Sequence, residues 1–331
     1  MKEELSYAMK QINLWYRKSE KTLSIFTIPF HTALIFKDII LELVAEQKKI
    51  LYIWGKNGEN KELADEIRKL NQGITCVDTE NTEGNCQVNF TNYKNLEMIT
   101  GEYELAILDD VSCFSDLDKG KVLEYYDHIS RVARRIILYT IEEVVCDCAK
   151  IDMVPAYIDN PFVEPRFINT RVDLSRDIPY ILYEYLEWFI KNKMKIMILV
   201  PDEEKLNAVY EYYTKKLKLK RINIIPLFKK EDKKVIKNVL MQKQKATIII
   251  TDSMEETLED SKIGNVVVLF ADSKGYSYKK LLYLCGEIGR VNKKLPEVLF
   301  VSKDVSEDMD KVKSITRDFN KRKWEKKLKL L

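Results

Sequence analysis

Glu104-Leu-Ala-Ile-Leu-Asp-Asp110 is the stretch that decides the fold. An apolar run that ends in two carboxylates reads as a strand buried on both faces, which is how strands look in a parallel sheet covered by helices. The carboxyl end of such a strand is where open α/β sheets place their ligand-binding residues. On its far side, a helical pattern around Lys119 to Ile129 leads to a second apolar run, Arg135-Ile-Ile-Leu-Tyr-Thr140. On its near side lie the strand patterns Leu23-Ser-Ile-Phe-Thr27 and Ile50-Leu-Tyr-Ile-Trp54, with helical patterns from Thr32 to Gln47 and from Asn60 to Leu70. An amphipathic stripe of Leu5, Met9, Ile12 and Tyr16 predicts a first helix, and short strands are expected at Ile74 to Val77 and Gln87 to Phe90, then a short helix at Asn95 to Ile99. Strand and helix in alternation mean an open, mainly parallel α/β sheet.

From about Cys146 to Asp177 the character changes. Pro155, Pro161 and Pro165 break regular structure, and the stretch reads as a domain junction. A second α/β set follows. Helices are expected over Pro179 to Lys191, Asp202 to Leu217, Glu231 to Gln242 and Tyr278 to Arg290. Strands are expected at Lys195 to Pro201, Ile222 to Ile225, Ala246 to Thr251, Val266 to Phe270 and Glu297 to Val301. A basic helix runs from Met309 to Leu331, with Val312, Ile315, Phe319 and Trp324 toward one side. The expected domains are residues 1–160 and 161–331, facing each other across a cleft. Ligand chemistry is then expected at the turn after Thr27, at Asp109-Asp110, at the turn after Thr140, at the loop after Thr251, and at the helix ending in Arg290.

Composition bounds these readings. The 331 residues are 46% hydrophobic and 32% charged, enough apolar material for two cores and too much for a disordered chain. Net charge is only +3, so nucleic-acid binding needs a local patch. No apolar run has the length of a membrane span, and no leader peptide pattern opens the chain, so a cytoplasmic location is expected. The six cysteines form no Cys-x-x-Cys pair, and the two histidines, His31 and His128, do not complete a metal set; reduced thiols and no zinc are expected.

Ala271-Asp272, followed by a helix ending Leu284-Cys285-Gly286-Glu287-Ile288-Gly289-Arg290, resembles the final motif of superfamily 2 helicases. The region from Ile196 to Leu331 is similar to the C-terminal half of the ComFA family, the DNA translocases of bacterial competence. Upstream, Thr27-Ile-Pro-Phe-His-Thr32 stands where that family carries its phosphate loop, and Ile107-Leu-Asp-Asp-Val111 stands where it carries Asp-Glu-x-Asp. The order and spacing cover nearly the whole chain, while many diagnostic letters differ. Ile28, Pro29 and Phe30 replace small residues, and proline removes a backbone donor. His31 replaces the lysine, Asp110 the water-polarising glutamate, and Ser112 the last acid. Tyr283 and Glu287 replace a glutamine and an arginine, and Thr257 and Leu258 stand where the loop after Thr251 should carry arginine and glycine.

The resemblance implies two tandem RecA-like α/β domains of the P-loop NTPase kind. Residues 1–160 would be the ATP-binding half, and residues 161–331 the helicase C-terminal half with its basic helix. For an active enzyme it implies ATP and magnesium, with Thr32 and Asp109 on the metal and His31 beside the nucleotide. Asp110 would orient water, and Arg290 would stabilise transferring phosphoryl charge. A form that has lost hydrolysis needs no cofactor. Implied partners are single-stranded DNA, through Thr251, Lys321, Arg322, Lys323 and Trp324, and a competence or DNA-uptake protein that would bring the chain to the inner face of the membrane. Two readings stay open: a degenerate helicase-like protein that binds DNA or a partner with weak or no hydrolysis, and a DNA-stimulated ATPase that drives translocation. Plain structural roles remain open for the same residues. Asp109-Asp110 also fits a solvated loop start, Glu287–Arg290 a structural ion pair, and the basic helix a solvated face.

Overall fold

The computed structural model of the chain describes residues 2–18, 20–29, 32–71, 76–78, 86–111, 117–154, 160–217, 219–228, 246–254, 263–291 and 296–328. Contacts divide it into two compact units, Met1–Tyr157 and Ile158–Leu331.

The first unit carries β1 (Thr22–Phe26), β2 (Ile50–Trp54), β3 (Cys76–Asp78), β4 (Val88–Asn92), β5 (Tyr103–Asp109), β6 (Ala133–Thr140) and β7 (Ala149–Asp152). They form one sheet in the order β3-β4-β2-β5-β6-β1-β7, every described pair parallel. Its helices are α1 (Lys2–Tyr16), α2 (Lys37–Ala45), α3 (Lys61–Leu70) and α4 (Lys119–Val132). All five residues of β1 and of β2 are buried, because both faces of the sheet are covered. Alternate residues serve alternate layers. Leu51, Ile53, Ala106, Leu108, Ile136 and Leu138 pack on Val122 and Ile129 of α4. Their neighbours Tyr52 and Tyr139 turn the other way and meet Phe36 edge-on, with ring centroids 6.3 and 5.1 Å away. Polar caps set the helix starts: Asn60 accepts from Leu63 N, and Asp118 accepts from Lys121 N. The end of α1 is tied to the sheet by Tyr16, which donates to Glu104 Oε1 at 2.6 Å and lies under the Arg135 guanidinium, 5.5 Å from the ring centroid.

The second unit carries β8 (Arg166–Asn169), β9 (Lys195–Leu199), β10 (Ile222–Leu227), β11 (Ala246–Thr251), β12 (Asn265–Leu269) and β13 (Glu297–Ser302). Their order is β10-β11-β9-β12-β13-β8, again parallel throughout the described pairs. The helices are α5 (Tyr180–Lys191), α6 (Glu203–Glu211), α7 (Tyr278–Val291) and α8 (Glu307–Leu328). On one face of this sheet Ile196, Ile198, Ile248, Ile250, Val267, Leu269, Leu299 and Val301 pack with Leu182, Leu186 and Phe189 of α5 and Leu206 and Val209 of α6. The alternate residues Phe167 and Phe300 stack on each other on the opposite face, where Lys313 of α8 lies over Phe167. α5 and α8 therefore cover opposite faces of one sheet.

The segment that leads into β8 is gripped by α7 and α8. Val163 N donates to Cys285 O at 3.0 Å. The Asn320 side chain accepts from Phe162 N at 2.8 Å and donates to Phe162 O at 2.9 Å, while Phe162 meets Phe319 edge-on. Gly289 passes so close to Pro161 that a Cβ there would overlap the Pro161 carbonyl oxygen.

Several expectations change in detail. The proline-rich junction from Cys146 to Asp177 contains β7 and β8, one edge strand for each sheet. The helix expected from Asp202 to Leu217 is α only to Glu211 and continues as a π-helical stretch over Tyr212–Leu217. The helix from Thr32 to Gln47 opens as a 3-10 turn over Ala33–Phe36, and the short helix near Asn95 is likewise 3-10, over Tyr93–Met98. Ser112 and the helix expected over residues 231–242 lie outside the described residues.

Candidate functional site

At the carboxyl edge of the first sheet, β1, β6 and β5 end side by side. Thr27 N donates to Thr140 O at 3.0 Å, and Asp110 N donates to Tyr139 O at 3.0 Å. The register places Asp109 opposite Tyr139 and Phe26 opposite Thr140. Thr27, Thr140, Asp109 and Asp110 thus form one buried polar row across three neighbouring strands. The Thr27 hydroxyl oxygen is buried there with no hydrogen-bond partner.

Asp109 is only 1% exposed. A buried carboxylate requires donors on its oxygens, and this one has them from its own chain. Val111 N donates to Oδ1 at 2.9 Å, and the Tyr52 hydroxyl donates to Oδ2. Tyr52 reaches it from β2, where it pairs in register with Ile107, two residues before the carboxylate.

Thr32 caps the 3-10 turn that precedes α2. Its hydroxyl accepts from Leu34 N at 3.1 Å and donates to Glu62 Oε1 of α3 at 2.8 Å, while its carbonyl accepts from the Tyr139 hydroxyl at 3.2 Å. Leu34 N–H is one of the orphan donors of a helix start, and here it is spent on a side chain of the same turn. Ile28 is buried in the core. His31, with Phe30, lies outside the described residues.

The remaining candidates belong to the second unit. Thr251 ends β11 fully buried, and its hydroxyl accepts from Ser253 N at 3.1 Å in a tight turn; the side chain faces inward, away from any solvent partner. Arg290 lies in the last turn of α7, and its side chain is not described, so the expected pairing with the buried Glu287 is outside what the structure describes. Tyr276 is a residue that sequence reasoning missed. Its hydroxyl is buried with no hydrogen-bond partner, and burial, then the charges of Asp202 and Asp252, hold it well above the ordinary tyrosine value.

The basic helix divides along its length. Lys311 lies 3.7 Å from the Tyr278 ring centroid, Lys313 sits over Phe167, and Arg317 pairs with Glu164. The packed stripe is Met309, Val312, Thr316 and Phe319 rather than one that includes Trp324. Trp324 is 67% exposed. Around it, Lys321 lies 3.9 Å from Glu325 and Arg322 2.8 Å from Asp318, so part of the local positive charge is met within the helix. Lys323 lies beside Trp324 on the same turn. Among the described residues no group of three or more His, Cys, Asp or Glu side chains is placed to hold a metal ion, and no helix is long and apolar enough to cross a membrane.

No family model and no curated protein matches the sequence. Among solved structures, that of the E. coli DExH-box NTPase HrpB matches at 14% identity with a TM-score of 0.53, covering 93% of this chain and 42% of that one. A second structure, of the Escherichia coli DEAH/RHA helicase HrpB, matches at 12% identity with a TM-score of 0.51, covering 93% of this chain and 43% of the other. The chain spans about two-fifths of the length of the HrpB chains it matches. At these identities the likeness is one of fold: two mainly parallel, RecA-like α/β units.

Proposed function

We propose that the chain is a helicase-derived, ComFA-like protein that binds single-stranded nucleic acid or a DNA-uptake partner and has given up efficient ATP hydrolysis. One observation carries this reading: the groups that should hold magnesium are committed elsewhere. Both Asp109 oxygens have donors from Tyr52 and Val111, and the Thr32 hydroxyl is held between Leu34 N and Glu62. Glu62 also brings a carboxylate to the turn that would face phosphates, where its charge opposes an anion. Pro29 lacks an N–H to offer, and Ile28 is core. These residues do not fit a magnesium–nucleotide group. In this reading Asp109 serves the buried edge of the sheet rather than a metal.

For nucleic acid, the supporting feature is the last part of α8, where exposed Trp324 offers a stacking face and Lys321 and Lys323 offer charge to phosphates. The proposed contact does not call on Thr251, whose side chain is buried and bonded within its own turn.

The test pairs two measurements on the full chain. Anisotropy of labelled single-stranded DNA across a salt series should show binding whose log–log slope flattens when Lys321 and Lys323 become alanine. Phosphate release with ATP, magnesium and DNA should stay at background, and Asp109→Asn should leave it there. DNA-stimulated turnover that Asp109→Asn abolishes would establish the alternative, an active translocating ATPase.

A further inference from the structure

The outer face of α5 is apolar where a surface helix should be polar. Ile181, Tyr185 and Trp188 fall at i, i+4 and i+7 and form one stripe. Ile181 is 55% and Trp188 51% exposed, and Tyr180 beside them is more exposed still. With Glu184 and Glu297 they line a groove of about 320 Å³.

The groove is lined by two carboxylates, Glu184 and Glu297. Arg166 bridges the Tyr185 hydroxyl at 2.9 Å and Glu297 Oε1 at 3.3 Å, fixing both groups. Glu297 Oε2 is buried with no hydrogen-bond partner. Glu184 and Glu187 flank the stripe, Glu187 held by the Tyr183 hydroxyl at 2.9 Å and lying 3.9 Å from Lys191. Glu184 is the exposed carboxylate of the lining, open to a cation arriving through the groove. The groove therefore suits an occupant that is both apolar and basic.

The same chain presents that chemistry once more. The last described turns of α8 expose Trp324 and, four residues on, Leu328 at 65%, among Lys321, Arg322 and Lys323. These turns cannot fold back onto the α5 groove, because α5 and α8 lie on opposite faces of one sheet.

We propose that the Ile181–Tyr185–Trp188 groove receives the Trp324–Leu328 end of α8 from a second copy of this chain, with a basic neighbour of Trp324 meeting Glu184. The contact joins two different patches, which lie on opposite faces of one sheet, so it is heterologous: one copy is left with a free groove and the other with a free tail, and association continues beyond two copies. It uses the same exposed Trp324 end of α8 as the nucleic-acid reading but does not rest on that reading, and it is tested with no nucleic acid present.

Sedimentation velocity of the full chain, from micromolar to near-millimolar, should show mass that grows with concentration and passes the dimer. Ile181→Asp with Trp188→Ala removes the groove, and Trp324→Ala with Leu328→Ala removes the tail. Each variant alone should be monomeric. Trp324 and Leu328 are exposed, so the tail variant keeps the fold and tests the idea even if the groove variant does not. Mixed in equal amounts, the two variants should form a dimer that grows no further, since one supplies the groove and the other the tail. A monomeric wild-type chain, undiminished association in the tail variant, or a mixture of well-folded variants that stays monomeric overturns the proposal. Symmetric dimers that survive both changes would place the self-contact elsewhere and overturn it as well.

Discussion

The Tyr52 hydroxyl donates to Oδ2 of Asp109 within the buried carboxyl edge of the first sheet, and Val111 N closes on Oδ1. One strand thus supplies the counter-group for the acid at the end of its neighbour. Tyr52→Phe removes a hydrogen bond to a buried carboxylate and keeps the ring that packs on Phe36 and Phe90. A loss of about 1.5–3 kcal/mol from the first unit is expected, seen as a lower urea midpoint for its transition with the second unit's transition unmoved. An unchanged midpoint would mean that the carboxylate does not depend on this phenol.

Gly289→Ala should be severe. The added methyl would meet the Pro161 carbonyl oxygen, a backbone atom whose segment is held by Cys285 and Asn320 and cannot give way cheaply. Overpacking of this kind costs about 3 kcal/mol, and the second unit's denaturation midpoint should fall by the corresponding amount. Asn320→Ala removes both bonds to Phe162 and should cost less, about 1–3 kcal/mol. Equal tolerance of the two changes would mean the segment is held by neither.

Tyr276→Phe should stabilise the second unit. It deletes a buried hydroxyl without a hydrogen-bond partner and keeps the ring, for a gain of about 1 kcal/mol. A loss in thermal or urea unfolding would mean that a bound water satisfies the group.

The same tyrosine makes a pH statement. Burial, then Asp202 and Asp252, raise Tyr276 in the folded state, and burial raises Tyr213 and Cys285. The folded chain therefore holds these protons more tightly than the unfolded chain. Their contribution is fully present below the ordinary values of 9.0 for the thiol and 10.0 for the phenols, and is lost as pH climbs above them. Urea midpoints of the second unit should be flat through neutrality and fall in alkali, less steeply in Tyr276→Phe. A midpoint that rises with alkaline pH would contradict the assignment.

Thiol labelling gives a further check. Cys146 is exposed, Cys148 is half-buried with its thiol pushed up mainly by burial, and Cys285 is buried. Alkylation of the native chain should proceed in that order, since the thiolate is the reactive form. Early modification of Cys285 would mean that α7 opens readily.

The central strands were legible because they are apolar on both faces: Ile50–Trp54, Leu105–Leu108, Ile136–Tyr139 and Ile196–Leu199 read as strands with no help from their partners. The edge strands were not. β7 is Ala-Lys-Ile-Asp and β8 is Arg-Phe-Ile-Asn, each with one buried residue in four, set among prolines that read as a link. Asp109 and Thr32 could be singled out by position, but their partners could not. Tyr52 meets Asp109 through the register of β2 on β5, which no local pattern encodes. Trp324 departs from the expected stripe for a related reason: by spacing alone Ile315 and Trp324 fall on one side with Phe319, whereas the buried stripe runs through Val312, Thr316 and Phe319.

In the second unit β8 comes first along the chain, yet its only described neighbour is β13, the last strand: Arg166 lies opposite Leu299 and Asn169 opposite Ser302. A ribosome delivers the two ends of that pairing far apart in time. The sheet's border cannot close until nearly all of the unit has been synthesised, so in the interval the apolar edge of a half-made sheet depends on chaperones or on fast refolding to escape misassembly.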